Sequence, residues 1–449
     1  MSQQEPIRDA RQLGMPKMLL LGVQHMFAMF GATILVPIIV AGQYGLPLNI
    51  QTTLFFAGIG TLFFHLCAKF QVPAFLGSSF AFLGGFKTIS ELPAYEGLDA
   101  SVKLQYACGG IVVAGLLYLI LALLVKVAGV HKVMRYLPPV VTGPIIVCIG
   151  LNLAPSAVSN AAQCWPLALI ALGVIIVFNI WGKGMFKIIP ILLGVVIAYA
   201  AAVLMNALGM TNADGTPILN LAAIAEAKWV GLPPFRLAKF DVSGILVMAP
   251  IAIAAMMEHI GDMSAISATV GRSFIEDPGL HRTLIGDGLA TSLSGLFGGP
   301  ANTTYGENTG VLVLSRVYDP NVIRLAAVYA IVLGFIPKMA EIIGSMPSAI
   351  VGGVSFMLYG MISAIGVRNI VENKVDFTNS RNLIIAAVIL VCGLGFSGGL
   401  TFQVGGASVT LTGLAIAAIA GIVLNAILPG NDYEFGVNDS GDQNRGIHP

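Results

Sequence analysis

The chain has 449 residues, 56% of them hydrophobic and only 10% charged, with a formal net charge of +1. Soluble domains carry about 25% charged residues, so the composition excludes a soluble globular protein and points to a membrane protein. The balanced charge excludes a nucleic-acid partner held by a basic surface.

The first 16 residues are polar and show no cleavable leader pattern, so the first apolar run is expected to remain as a span. Apolar runs of roughly 17–25 residues, the length that crosses a bilayer as a helix, then recur along the chain. Fourteen segments are predicted, near 17–41, 50–68, 78–92, 104–127, 137–155, 164–182, 186–208, 241–261, 283–299, 304–317, 321–340, 347–366, 380–397 and 406–428. The third and tenth are short and fed by extended-looking stretches. Gly is abundant at 53 residues, which suits close helix packing. The five cysteines (Cys67, Cys108, Cys148, Cys164, Cys392) are scattered with no metal or redox spacing and read as small core residues. No cofactor and no metal is called for.

With the N-terminus in the cytoplasm and the sides alternating fourteen times, 17 of the 23 lysines and arginines fall on or near the cytoplasmic face. The six on the other side are Lys87, Lys103, Lys228, Arg236, Lys239 and Lys338. This agrees with the positive-inside rule and puts both termini in the cytoplasm. The longest outer connection is about 209–240, and no separate soluble domain is expected.

The two halves echo each other. "GVQHMFAMFGATI" (22–34) resembles "MMEHIGDMSAISA" (256–268), "FLGSSFAFLGG" (75–85) falls against "PANTTYGENTG" (300–310), and "LPPVVTGPIIV" (137–147) resembles "MPSAIVGGVSF" (346–356). Seven segments per half is odd, so the second copy runs inverted. The fold class expected is an all-α polytopic membrane protein of two inverted seven-segment repeats, with discontinuous segments 3 and 10. That is the architecture of secondary transporters, whose site lies near the midplane between repeats.

Irregular backbone at membrane depth is tolerated only where protein buries it or water reaches it. In "GGPANTTYGENTG" (298–310), residues 299–303 are expected to run extended and a half-helix to start around Thr304 to Gly306, its free N–H groups facing a cavity. Residues 74–80 are expected to mirror this, with Ser78 or Ser79 as cap and Phe80 at the break. Glu307 lies beside the break, and Glu258 and Asp262, four apart, share one helix face. An acid inside a membrane marks a functional site by default, because its charge costs several kcal/mol unless paired, hydrated or protonated. Asp287 reads as a cap or helix-packing acid. His25, His65 and His259 read as buried, hydrogen-bonded histidines, although a His beside an acid can also relay protons.

"QHMFAMFGATILVP" (24–37), "PAFLGSSFAF" (73–82), "EHIGD" (258–262), "DPGLHR" (277–282) and "NTTYGENTGVLVLSRV" (302–317) together resemble the nucleobase–ascorbate transporter family, most closely its uracil-transporting bacterial branch. The likeness runs from about residue 17 to 428. It implies a core domain made of 17–136 and 241–340 (segments 1–4 and 8–11) and a gate domain made of 137–240 and 341–428 (segments 5–7 and 12–14). The tails are then 1–16 and 429–449. It also implies the bacterial cytoplasmic membrane and a homodimer through the gate domains. Carried over residue by residue, it puts Glu258 and Glu307 on the base, with the backbone of Gly306, the ring of Phe80, and Tyr359 facing from the gate. Glu258, Asp262, Glu307 and His259 are the proton-coupling candidates. Two departures stand out: Ser315 replaces the usual threonine, and Asp262 stands where uracil members show a histidine and purine members often show an aspartate.

Uracil is a flat ring with two N–H donors and two C=O acceptors. Carboxylates accept from N–H groups, a protonated carboxyl can also donate, and free backbone N–H groups complete the rim. The function expected is therefore proton-coupled import of uracil by alternating access. Purine or xanthine uptake is the alternative that Asp262 raises. Anion exchange on the same architecture is a further one, since half-helix ends suit anions, but Glu307 would repel them. A membrane hydrolase would need a placed nucleophile or metal ligands, and no such cluster is found, so no enzyme is expected.

Overall fold

The computed structural model describes residues 6–219, 222–396, 398–404, 407–430 and Tyr433. Most of the expected C-terminal tail, 429–449, lies outside these residues, as do the first five residues of the N-terminal tail.

The first helix, α1 (Met15–Tyr44), opens with Pro16, whose missing N–H costs nothing in a first turn, and stops at Gly45 with φ +65°. Asn49 caps α2 (Ile50–Cys67), its side chain accepting from the Thr52 N–H. The chain then runs extended through β1 (Leu76–Ser78), makes one tight turn over Phe80–Phe82, and only then enters α3 (Leu83–Ser90). Next come α4 (Ala100–Ala128), the short α5 (Val130–Met134), α6 (Pro139–Ala161), α7 (Trp165–Trp181), the short α8 (Met185–Ile188) and α9 (Pro190–Ala207). A short α10 (Ala222–Glu226) lies in the long connection.

The second half begins with α11 (Val242–Met248) and α12 (Ile251–Val270), followed by α13 (Leu280–Leu296). Strand β2 (Asn302–Thr304) feeds α14 (Gly306–Ser315). Then follow α15 (Pro320–Gly334), α16 (Pro337–Gly344), α17 (Ser348–Glu372), α18 (Ser380–Gly395), the hairpin β3 (Leu400–Val404) and β4 (Ala407–Leu411), and α19 (Gly413–Ile427).

Among the described residues seven helical spans are long and apolar enough to cross a bilayer, or eight if α15 and α16, bent by 87°, count as one. The protein is a multi-pass helical membrane protein. Of the other expected segments, three are shorter apolar helices (α7, α18, α19), two are the broken ones, and the ninth is α13, 17 residues long. Three departures from expectation have local causes. The fourteenth segment becomes helical only at Gly413, because the stretch before it is rich in residues that favour strands and pairs as a hairpin, with the Thr401 and Thr410 hydroxyls 2.9 Å apart. The eighth is interrupted between Met248 and Ile251, where Pro250 supplies no N–H, and it continues to Val270. The eleventh bends ahead of Pro337.

Small residues let helices touch backbone to backbone. A Cβ on Gly115 of α4 would stand 2.4 Å from the Gly288 carbonyl of α13, one on Gly58 of α2 2.4 Å from the Ala327 carbonyl of α15, and one on Gly150 of α6 2.3 Å from the Tyr359 carbonyl of α17. These three contacts join segments distant in sequence and leave the two extended strands enclosed among helices.

Candidate functional site

The strands β1 and β2 meet each other. They pair antiparallel, Leu76 opposite Thr304 and Ser78 opposite Asn302, and all six residues are buried. Further backbone bonds extend the ladder at both ends, from Tyr305 N–H to Phe75 O (3.0 Å) and from Ser79 N–H to Ala301 O (2.8 Å). Side chains satisfy the outward groups: the Thr61 hydroxyl accepts from the Leu76 N–H at 2.9 Å, and the Thr291 hydroxyl accepts from the Asn302 N–H at 3.1 Å. Buried backbone groups must be paired, so two interrupted segments can meet at this depth. Gly77 is required here, because a Cβ would stand 2.4 Å from the Tyr305 ring.

Helix α14 starts at Gly306, within the expected range, with its first-turn N–H groups free of intrahelical partners. Neither Ser78 nor Ser79 acts as a side-chain cap on the other break: the Ser78 hydroxyl donates to the Thr33 carbonyl at 2.8 Å, and Ser79 makes no capping bond. Asn308, one turn into α14, donates to the His25 carbonyl at 3.0 Å and fastens the half-helix to α1.

A cavity sits at the start of α14. Phe80, Glu258, Asp262, Gly306 and Glu307 all line it, together with Thr304 and Tyr305. The i, i+4 spacing of Glu258 and Asp262 on α12 brings both carboxyls to it. Asp262 accepts a hydrogen bond from the Thr304 hydroxyl at 2.7 Å, and one Glu258 oxygen, Oε2, is buried without a partner among the described residues. Among the described residues, no lysine, arginine or histidine is in the lining. The far wall is apolar, made of Ile146 from α6 with Ile362 and Ile365 from α17. Spacing and acidity made the polar half readable in the sequence; nothing in the sequence distinguishes these isoleucines from the many that only pack.

Two expected residues stand outside this lining. Tyr359 reaches the site through Phe80, their rings meeting edge to face at 5.9 Å. His259 faces α13: its Nδ1 lies 2.9 Å from Asp287 Oδ2 and its Nε2 3.0 Å from the Thr283 hydroxyl, with both members of the pair fully buried. Asp287 lies well inside α13, so it packs helices together and caps nothing. His25 and His65 are hydrogen-bonded as expected, to Asn308 and to the Ala74 carbonyl (2.8 Å).

The acid-lined cavity holds about 30 Å³ for a water-sized sphere. A much larger vestibule of about 1180 Å³ opens beside the C-terminal end of α1, lined by Gln43, Tyr44, Lys87, Glu91 and Asn152 and reaching down to Phe80. The acids line the small cavity, and Phe80 lines both. A third gap, of about 10 Å³, lies between Thr142, Gly261 and Asn369.

Paired broken helices, free helix-end N–H groups and acids around a buried cavity are the build of a multi-pass transporter. The chain belongs to the permease family whose Xan_ur_permease model matches residues 16–401. Curated relatives include the uracil permease of Bacillus caldolyticus, 41% identical over 425 residues and covering 91% of each chain. The uracil permease of Escherichia coli (strain K12) is 38% identical over 418 residues, covering 91% of this chain and 90% of that one. Among solved structures, the transmembrane domain of a cyanobacterium bicarbonate transporter, BicA, superposes with a TM-score of 0.64 at 17% identity, covering 92% of this chain and 99% of that one. The murine anion transporter Solute Carrier 26 family member A9, in the inward-facing state, gives 0.63 at 10% identity, covering 92% and 68%. At these identities the likeness is one of fold.

Proposed function

We propose that this permease imports uracil together with protons by alternating access. The observation that carries the reading is the convergence of Glu258, Asp262 and Glu307 on one small cavity at a helix start, with no basic residue among the described residues of its lining. The relatives named uracil permeases support the choice of base. Glu258 and Glu307 accept from the ring N–H groups, the Gly306 N–H donates to a ring carbonyl, and the Phe80 ring covers one face. Uracil brings no charge to balance three clustered carboxyls, so a proton is the natural counter-charge. Coupling belongs to the three acids of the cavity, and His259 acts at a distance, through α13.

The movement proposed is of a gate (137–240 and 341–428) against a core (17–136 and 241–340), within fourteen segments arranged as two inverted halves. The paired strands β1 and β2, each feeding a half-helix, support that symmetry. A ring does not fit in 30 Å³, so the isoleucine wall must withdraw to admit the base. The wide vestibule beside the C-terminal end of α1 is taken as the outer side, with the termini in the cytoplasm.

Purine uptake is the second reading, favoured by Asp262 alone. Here that carboxylate is engaged by Thr304, which leaves Glu258 as the freer acid. Binding of uracil and xanthine to the purified protein separates the readings. Uracil should bind more tightly, and Glu307→Gln should weaken it about 10- to 150-fold, the worth of a hydrogen bond to a charged group. Preference for xanthine would install the purine reading, and uracil binding indifferent to Glu307→Gln would remove the acid from the site.

A further inference from the structure

The cavity is divided by chemistry. Its carboxyl and hydroxyl groups, and the free N–H groups, come from α12 and from the stretch that runs from β2 through Tyr305 into α14, whereas Ile146 of α6 and Ile362 and Ile365 of α17 form the opposite wall. Two of these isoleucines stand against glycines of the polar side. The Ile146 Cδ1 lies 3.3 Å from where a Cβ on Gly261 would stand, and the Ile365 Cδ1 lies 3.4 Å from where one on Gly306 would stand. Ile146 and Ile362 are buried and Ile365 is partly exposed, so the wall that withdraws to admit the base does so with its helices and not residue by residue. Helices α6 and α17 interlock through glycines, a Cβ on Gly366 standing 2.7 Å from the Gly143 carbonyl and one on Gly150 2.2 Å from the Ser363 hydroxyl.

Uracil is divided in the same way. N1, O2, N3 and O4 form one polar rim, and C5–C6 is its only apolar edge. A base that gives its rim to Glu258, Glu307 and the helix end must turn C5–C6 toward the isoleucines, since that is the only pairing that leaves no polar group against hydrocarbon. A methyl at C5 makes thymine, and an imidazole fused on C5–C6 makes xanthine, so both additions grow toward this wall.

Resting on the proposed uracil site, we propose that Ile146, Ile362 and Ile365 set the permease's selectivity, rejecting 5-substituted pyrimidines and purines at the C5–C6 edge while the acids read the rim. The test is uptake of radiolabelled uracil, thymine and xanthine by cells expressing the wild type, Ile365→Val, Ile365→Ala, Ile146→Val and Ile146→Ala. The quantity read is the thymine-to-uracil ratio, which cancels losses of expression or turnover common to both bases. The wild type should favour uracil over thymine at least about 10-fold, the lower bound for one methyl group in a shaped apolar pocket. The alanine variants should raise the ratio at least about 10-fold, with the valine variants between. A wild type that takes thymine as readily as uracil, or a ratio unmoved across all four variants, overturns the inference. A wild type that takes up no uracil overturns instead the function on which it rests.

Discussion

Glu258 and His259 are consecutive on α12 and have different neighbours: the glutamate lines the cavity, and the histidine pairs with Asp287 of α13. Leaving the buried Asp287 carboxyl without its neighbour costs about 1–3 kcal/mol. His259→Ala should therefore lower the thermal midpoint of the detergent-purified protein by several degrees, while its folded fraction still binds uracil within about 3-fold of the wild type, since the imidazole makes no contact with the cavity. A variant with unchanged thermal midpoint whose transport no longer responds to a pH gradient would place His259 in the proton path instead. At this scale the sequence was a good guide to the acids and a poor one to their partners. Glu258, Asp262 and Glu307 are conspicuous in apolar runs, but which acid pairs with which histidine depends on helix rotation, and Asp287 reads from sequence as well for a cap as for the packing acid it is.

Helix α14 is held at both ends. At its start the β1–β2 pairing fixes Tyr305 and Gly306. At its finish an N-terminal strap is bonded to the loop that follows: Ile7 N–H donates to Arg316 O at 2.9 Å, Tyr318 N–H to Ile7 O at 2.8 Å, and Ala10 N–H to the buried Asp319 Oδ2 at 2.7 Å. Asp319 Oδ1 meanwhile caps α15 through Asn321 N–H at 2.9 Å. Asp319→Asn keeps an oxygen for the cap but leaves the Ala10 N–H without its acceptor, a cost of about 1–3 kcal/mol. Hydrogen exchange should then quicken at residues 7–10 and 316–319, whereas Arg11→Ala, which removes only an exposed pair with Asp9, should leave it unchanged. Equal protection in Asp319→Asn and wild type would show that the strap is held by its apolar contacts alone. The two breaks were legible because glycine, proline and asparagine cluster there. The pairing of the broken ends was not, because three-residue strands separated by more than 220 positions carry no register information of their own.

Among the described residues the vestibule reaches Phe80, and a much smaller gap of about 10 Å³ lies between Thr142 and Gly261. That the chain is a multi-pass helical membrane protein could be read from its run lengths. The hairpin at 400–411 could not, since the apolar content of that stretch suits a buried helix as well as a strand. The central claim, that uracil entry is driven by protons at an acid cavity, is tested most directly in proteoliposomes holding the purified protein with an imposed pH gradient, acidic on the side of the vestibule. The account predicts that radiolabelled uracil accumulates inside above its outer concentration and drains to equality when an uncoupler collapses the gradient. Uptake that only equilibrates, or accumulation that persists after the uncoupler, would contradict it.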